Sequence, residues 1–549
     1  MPNCRLGRRW PWSSPTILTL SRGRSRHHAG DVAAAGVPQW APHKISRWCN
    51  QQAGPGSGAR ECGDVTGPEK PEKTAAQKAQ KTAFVLAGGG AKGAFEAGAV
   101  RYLVEEQGIV PDVITAASAG ALCAAVLAQA RTHQEMLART KELHDDLLAM
   151  TRSDLLFGKQ PWVAELDGTL FGRAIDHWVV ERTRPAIPGE GAERTGGAAG
   201  SGGSADIGAR PVVARRGRAI RIAGQVARAL PSLGRAWRQR RGRTASLLTL
   251  DPLAERLRRG GGGIAPIDFA LVSRPGLDLR LAVVALGAGV LRYVCGDGAV
   301  VADDARTLVC PPGTVDVVDG VVASASVPML FPPRPMAGDA YVDGGVVENV
   351  PVAAAASLGA TRIYAILAVP IDPRAVRRDF ESASAPEVFI RAIGEISFAE
   401  RQRANLRPAL PRGTVVTVID PRVDIVGPFD VSRGLMLVNM DYGWLRAADV
   451  VSDLEPPLRR RANEATDAIA VARTQAWHRE EEMWLAGDVA AGDLSALARC
   501  KRVVRAALSE RKGLGLPVPP DATAWWAGYE VHAGEPPRGL PPDLLDACA

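Results

Sequence analysis

The sequence predicts an α/β fold with a mainly parallel sheet covered on both faces, and two strand–loop–helix units between residues 84 and 130 predict it. In the first, the apolar run Phe84-Val85-Leu86-Ala87 leads at once into Gly88-Gly89-Gly90-Ala91-Lys92-Gly93. Helical spacing then runs from Phe95 to Glu106 and stops at Gly108, as at a C-cap glycine. In the second, the strand Asp112-Val113-Ile114-Thr115-Ala116 runs through Ala117-Ser118-Ala119-Gly120 into an apolar helix over 119–130. Further strands are expected at 279–286, 291–295, 315–318 and 340–342. A helix at 350–358 precedes a buried strand at 362–369, and 415–419 adds one more.

Around this core the composition changes. Residues 1–81 mix Arg, Gly, Pro, Ser and His without apolar periodicity and are expected to be disordered. Residues 82–455 read as the main domain, built on this α/β core. It contains a mixed helical stretch at 133–185, with a break near Gly168 and Gly172, and a flexible basic insertion at about 189–262. From 456 to 549 the pattern is a helical extension, with helices over 458–482 and 494–512 and a Pro-rich tail.

The net charge of +8 is unevenly spread. Residues 1–81 hold 13 Lys/Arg against 5 Asp/Glu, and residues 194–243 hold 12 Arg against Asp206 alone, so the remainder of the chain is acidic. The eight cysteines (4, 49, 62, 123, 295, 310, 500 and 548) form no CxxC pair and stand near no His cluster. Structural zinc and a disulfide framework are not expected, and reduced thiols suit a cytoplasmic location. No apolar run reaches the roughly 18 residues that a membrane span needs. Near the N-terminus, Ile17–Leu20 follows Pro11 and Pro15 and is too short for a signal peptide core.

The chemistry is read from three separated pieces. A nucleophilic serine needs a tight strand-to-helix turn with small neighbours, and Ala116-Ala117-Ser118-Ala119-Gly120 supplies one, with Ala116 where G-x-S-x-G has its first glycine. Taken alone, the pentapeptide is a weak signal, and Ser118 reads more readily as a helix N-cap. Gly88, Gly89 and Gly90 can present bare N–H groups to an oxyanion at a helix start, with Lys92 adding positive charge. Gly88, Gly90 and Gly93 also satisfy G-x-G-x-x-G, but a dinucleotide site wants a carboxylate about 20 residues on, at the end of the next strand. That strand ends in Thr115-Ala116-Ala117-Ser118 instead. The acid is Asp343 in Tyr341-Val342-Asp343-Gly344-Gly345, where the bland reading is an Asp-Gly turn. A triad in the Ser-Asp-His order needs a later histidine. His478 lies in a charged helix and His532 in the tail, while His133, His144 and His177 precede the acid. A Ser118–Asp343 dyad remains.

With these pieces in order, the chain resembles the patatin-like phospholipase family. Residues 88–93, 116–120, Tyr341 to Pro351 and Ala323-Ser324-Ala325-Ser326-Val327-Pro328-Met329-Leu330-Phe331-Pro332-Pro333 carry the likeness, which covers roughly 82–370 apart from the insertion. The resemblance implies a three-layer α/β/α sandwich and a serine lipid acyl hydrolase of the phospholipase A or lysophospholipase type. It makes Ser118 the nucleophile, Asp343 the base and Gly88, Gly89 and Gly90 the oxyanion hole. Lys92, Gly93, Gly120, Gly344 and Gly345 are supporting positions, and no metal or organic cofactor is implied. Two other readings stay open: a membrane-binding scaffold with an impaired site, and an esterase or thioesterase for soluble esters.

The basic insertion suggests a partner. On a helix over 219–237, Ile220, Ala223, Val226, Ala227, Leu230, Leu233 and Trp237 share one face, flanked by Arg221, Arg228 and Arg235. Such a face suits an anionic membrane surface, contacted through residues 211–243 and making the protein peripheral to the membrane, although Pro231 would kink it. The alternative is a solvated, partly disordered loop. No motif supports specific nucleic-acid binding.

Overall fold

A computed structural model describes residues 80–150, 153–167, 246–371, 380–381, 388, 390–486 and 491–532. The N-terminal residues 1–79 expected to be disordered, the amphipathic segment 211–243, His177 and the Pro-rich tail beyond His532 lie outside these residues.

The strands are β1 (Lys81–Leu86), β2 (Val113–Ala116), β3 (Gly158–Lys159), β4 (Leu248–Thr249), β5 (Asp278–Ala285), β6 (Val290–Cys295), β7 (Val300–Val301), β8 (Leu308–Cys310), β9 (Arg334–Met336), β10 (Asp339–Asp343), β11 (Ala360–Ile366) and β12 (Val415–Ile419). One sheet runs β12-β11-β1-β2-β5-β6-β7-β8, with β10 and β9 attached beside β5. From β12 to β5 every neighbour is parallel, and from β5 to β8 the strands run antiparallel as a meander. β3 and β4 form a separate two-stranded pair.

Side-chain alternation explains the layers. Phe84 and Leu86 of β1 and Tyr364 and Ile366 of β11 enter one core. Ala83 and Val85, with Ile363 and Ala365, enter another. A parallel sheet with both faces dry needs apolar residues at successive positions, as these strands have. The first core is closed by α1 (Ala94–Glu105), α2 (Ala119–Leu127), α3 (His133–Ala149), α4 (Asp251–Arg259) and α5 (Val317–Ser324). The second is closed by α6 (Val352–Ser357). A π-helix, Ile390–Ser397, leads into α7 (Phe398–Asn405).

Two expectations are corrected. Residues 315–318 are not a strand: the Asp316 carboxylate accepts from Val318 N–H (2.8 Å) and starts α5. β-branched valines suggested extended chain, but Val317, Val318, Val321 and Val322 share a helical face, and the cap decides. Residues 246–262, expected inside the flexible insertion, contain β4 and α4, whose Leu253, Ala254 and Leu257 are buried in the first core.

The C-terminal helices α8 (Arg433–Val451), α9 (Pro456–Ala486) and α10 (Ala491–Gly513) join that same core through Leu445, Ile469 and Val504. The contact of α8 with α1 is close: a Cβ on Gly98 would stand 1.8 Å from Met440 O, and one on Gly443 would stand 1.9 Å from Phe95 O. Among the described residues no helix is long and apolar enough to cross a membrane.

Candidate active site

Sheet register brings the serine and the acid together. Ala116 ends β2 opposite Leu281 of β5. Where β2 stops, β10 takes over the same edge of β5, with Asp343 opposite Val283. Ser118, two residues beyond Ala116, therefore meets Asp343 although the two are far apart in sequence. Asp343 is almost fully buried, and burial pushes its carboxyl up to about 6. The Ser118 hydroxyl beside it and a hydrogen bond from Gly345 N–H (2.7 Å) oppose that rise. No described histidine joins them. His133 meets Val104 O, His144 lies among Arg101, Lys141 and Asp145, His478 packs on Trp477, and His532 meets Glu480.

The elbow is strained as a nucleophile turn requires. Ser118 has φ 52° and ψ −128°, a region that L side chains rarely adopt. Its hydroxyl does not cap α2, which removes the N-cap reading. The strain is held by a relay that sequence reading missed: Ser118 N–H donates to Ser324 Oγ (3.0 Å), and the Ser324 hydroxyl donates to Ala282 O (2.7 Å). A Cβ on Gly120 would stand 2.6 Å from Ala87 O, so α2 lies directly on the end of β1. The methyl of Ala116 is buried in the first core.

The acid turn is fixed from three sides. Asp343 N–H donates to Ser326 O (3.0 Å). A Cβ on Gly344 would meet Ala282 O at 2.4 Å. A Cβ on Gly345 would meet Asn349 Oδ1 at 2.9 Å.

The glycine loop differs in part from expectation. Gly88 N–H already donates to Asn349 Oδ1 (3.0 Å) and is not free for an oxyanion. What Gly88 supplies is room, since a Cβ there would stand 2.5 Å from Ser118 Cβ. The amides of Gly89 and Gly90 have no acceptor among the described residues, and neither does Ala119 at the start of α2. Asn349 also donates to Gly88 O (3.3 Å) and Gln402 Oε1 (3.2 Å), and its own N–H reaches Asn405 Oδ1 (3.1 Å). Lys92 is paired with Asp424 (2.6 Å), so its charge anchors the loop. Gly93 lets the following helix rest on Ala119, with 3.5 Å between an added Cβ and the Ala119 methyl. Asn349 lay inside a recognised motif, whereas nothing in the sequence marked Gln402, Asn405 or Asp424.

Beneath this loop Glu96 is fully buried, and neither carboxyl oxygen has a described hydrogen-bond partner. Burial holds its pKa well above the ordinary value, opposed by the nearby Ala87 amide, itself committed to Ile366 O (3.1 Å). An acid raised on folding binds a proton that the unfolded chain releases, so its cost grows as pH rises above the unfolded value. Glu96→Gln is therefore expected to raise the melting temperature, with a gain that widens as the pH rises above the unfolded value of 4.5. A gain independent of pH would show that Glu96 is not held neutral.

Among the described residues no group of His, Cys, Asp and Glu side chains is arranged to hold a metal ion. The family described as patatin-like phospholipase matches residues 84–356. A stretch of 102 residues, 18% of this chain, is 33% identical to patatin-like phospholipase domain-containing protein 7 of Rattus norvegicus and spans 7% of that protein's length. Among solved structures, the type III effector protein ExoU is 15% identical with a TM-score of 0.19, covering 82% of this chain and 72% of that one. ExoU in complex with SpcU, from the type III secretion system of Pseudomonas aeruginosa, is 17% identical with a TM-score of 0.17, covering 82% and 70%. Likeness at those scores is too slight to bear on the fold.

Proposed function

We propose that this chain, which belongs through residues 84–356 to the patatin-like phospholipase family, hydrolyses lipid acyl esters by a Ser118–Asp343 dyad. The observation that carries the reading is Ser118, on a strained strand-to-helix turn, set beside a buried Asp343 whose raised pKa its hydroxyl helps to hold down. Asp343 takes the Ser118 proton as Oγ attacks the ester carbonyl. The N–H groups of Gly89 and Gly90, with Ala119, receive the oxyanion, while Gly88 serves as spacer and tether. Collapse of the tetrahedral adduct expels the alcohol, which takes the proton from Asp343, and leaves an acyl-serine. Asp343 then deprotonates a water that attacks the acyl carbon, and collapse releases the fatty acid and restores Ser118.

The scaffold alternative draws on Ala116, whose methyl is buried in the first core, and on the large flanks outside the family match. The cationic segment 211–243 is proposed to hold the catalytic domain at an anionic lipid surface.

The test is fluorophosphonate labelling of the purified protein, with fatty-acid release from anionic phospholipid vesicles and from a monomeric short-chain ester. Labelling with faster release from vesicles is expected, and deletion of 194–243 should lower vesicle turnover alone. No labelling would overturn the hydrolase. Equal rates on both substrates would move the reading to a soluble-ester esterase, and an unchanged deletion variant would remove the membrane role.

A further inference from the structure

We infer that Trp477 is a positioning residue for the glycine loop, acting from the C-terminal helices through residues 424–428. The inference rests on the reading that this loop holds the oxyanion. Trp477 of α9 is buried and packs with Val426 and Leu435. Two residues after Val426, Pro428 O accepts from Ala91 N–H (2.8 Å) and would lie 2.3 Å from a Cβ on Gly90. Two residues before Val426, Asp424 holds Lys92 (2.6 Å). The segment 424–428 is thus the wall against which residues 90–92 are set. Backbone amides have no rotamers of their own, so the wall fixes where the Gly89 and Gly90 N–H groups point. Donor geometry of this kind must hold within about 0.5 Å to be useful.

Trp477 is itself clamped. Its Nε1–H donates to Val531 O (3.0 Å), and its ring stacks on His532 with centroids 5.3 Å apart and planes 9° apart. A Cβ on Gly434, at the start of α8, would meet Val531 O at 2.0 Å and Trp477 Nε1 at 2.3 Å, so the strap of residues 530–532, the ring and the helix meet without spare room. The strap is tied by charge. Glu530 N–H donates to Glu480 Oε2 (2.8 Å), Arg473 grips the Glu530 carboxylate (2.8 Å), and buried Lys501 lies 3.0 Å from Glu480 and 3.7 Å from Glu530. Stability of the C-terminal helices is in this way delivered to the catalytic loop.

The experiment compares Trp477→Leu with Val504→Ala, a core truncation on α10 outside this series of contacts. Amide hydrogen exchange at residues 88–93 is read by mass spectrometry, with kcat and KM on an acyl ester alongside. Trp477→Leu is expected to speed exchange at 88–93 and to lower kcat about tenfold or more with KM within about threefold, because a misplaced donor is missed only in the transition state. Val504→Ala should lower the melting temperature and leave both readouts at the parent's values. Unchanged exchange in folded Trp477→Leu, or an equal rise in both variants, overturns the inference. Should Trp477→Leu not fold, Trp477→Phe, which keeps the ring and drops the bond to Val531, is read in the same way. A parent enzyme without ester turnover would sink the oxyanion reading, while exchange at 88–93 would still decide the linkage.

Discussion

Ser118→Ala is expected to give a folded protein that neither reacts with a fluorophosphonate nor turns over an acyl ester. The fold should survive because the strain at residue 118 is a backbone property that alanine shares, and because the relay through Ser324 uses the Ser118 amide, not its hydroxyl. Activity should fall by roughly 10⁴- to 10⁶-fold, the range seen when a serine nucleophile is removed and only oxyanion donors and binding remain. Labelling is the sharper readout, since covalent capture has no residual route. Labelling retained in Ser118→Ala would place the nucleophile elsewhere and end the dyad.

The parts of this site that were legible in sequence are those where the chain must do something unusual at one point. A serine between small residues after a strand, a run of three glycines after another, and Asp-Gly-Gly at a strand end each announce a tight turn. The parallel half of the sheet was legible for a related reason, because β1, β2 and β11 are apolar at successive positions. What was not legible depends on long-range register. That β10 would replace β2 along β5, and so seat Asp343 beside Ser118, follows from pairing that no local pattern encodes. The tie between Gly88 N–H and Asn349 was hidden for the same reason: Asn349 arrives from the far side of the acid turn. Gln402, Asn405, Asp424 and Trp477 are ordinary residues on ordinary helices and loops, and only packing makes them part of the site. Residues 315–318 show the converse error, where valine propensity outweighed the Asp316 cap.

Asp343→Asn should separate catalysis from stability more cleanly than any other substitution. In the parent, Asp343 must be ionised to act as a base, and burial has raised its pKa to about 6. Activity is therefore expected to rise with pH through about 6, well above where an exposed aspartate would set the limb. The same shift bears on folding. The unfolded chain loses this proton near pH 3.8 and the folded protein near 6, so stability falls as pH rises between those values and is flat above them. Asparagine is neutral throughout and can still accept from Gly345 N–H. Above about pH 6 the variant should thus be more stable than the parent, by up to about 3 kcal/mol on a shift of roughly two units. Its turnover should fall by about 10⁴-fold, because no described histidine stands ready to replace the lost base. Misfolding could lower activity but could not raise the melting temperature, so the two measurements together discriminate. A variant that is inactive and less stable at neutral pH would mean that the Asp343 charge is a structural requirement. A variant of unchanged activity would mean that another group takes the proton from Ser118.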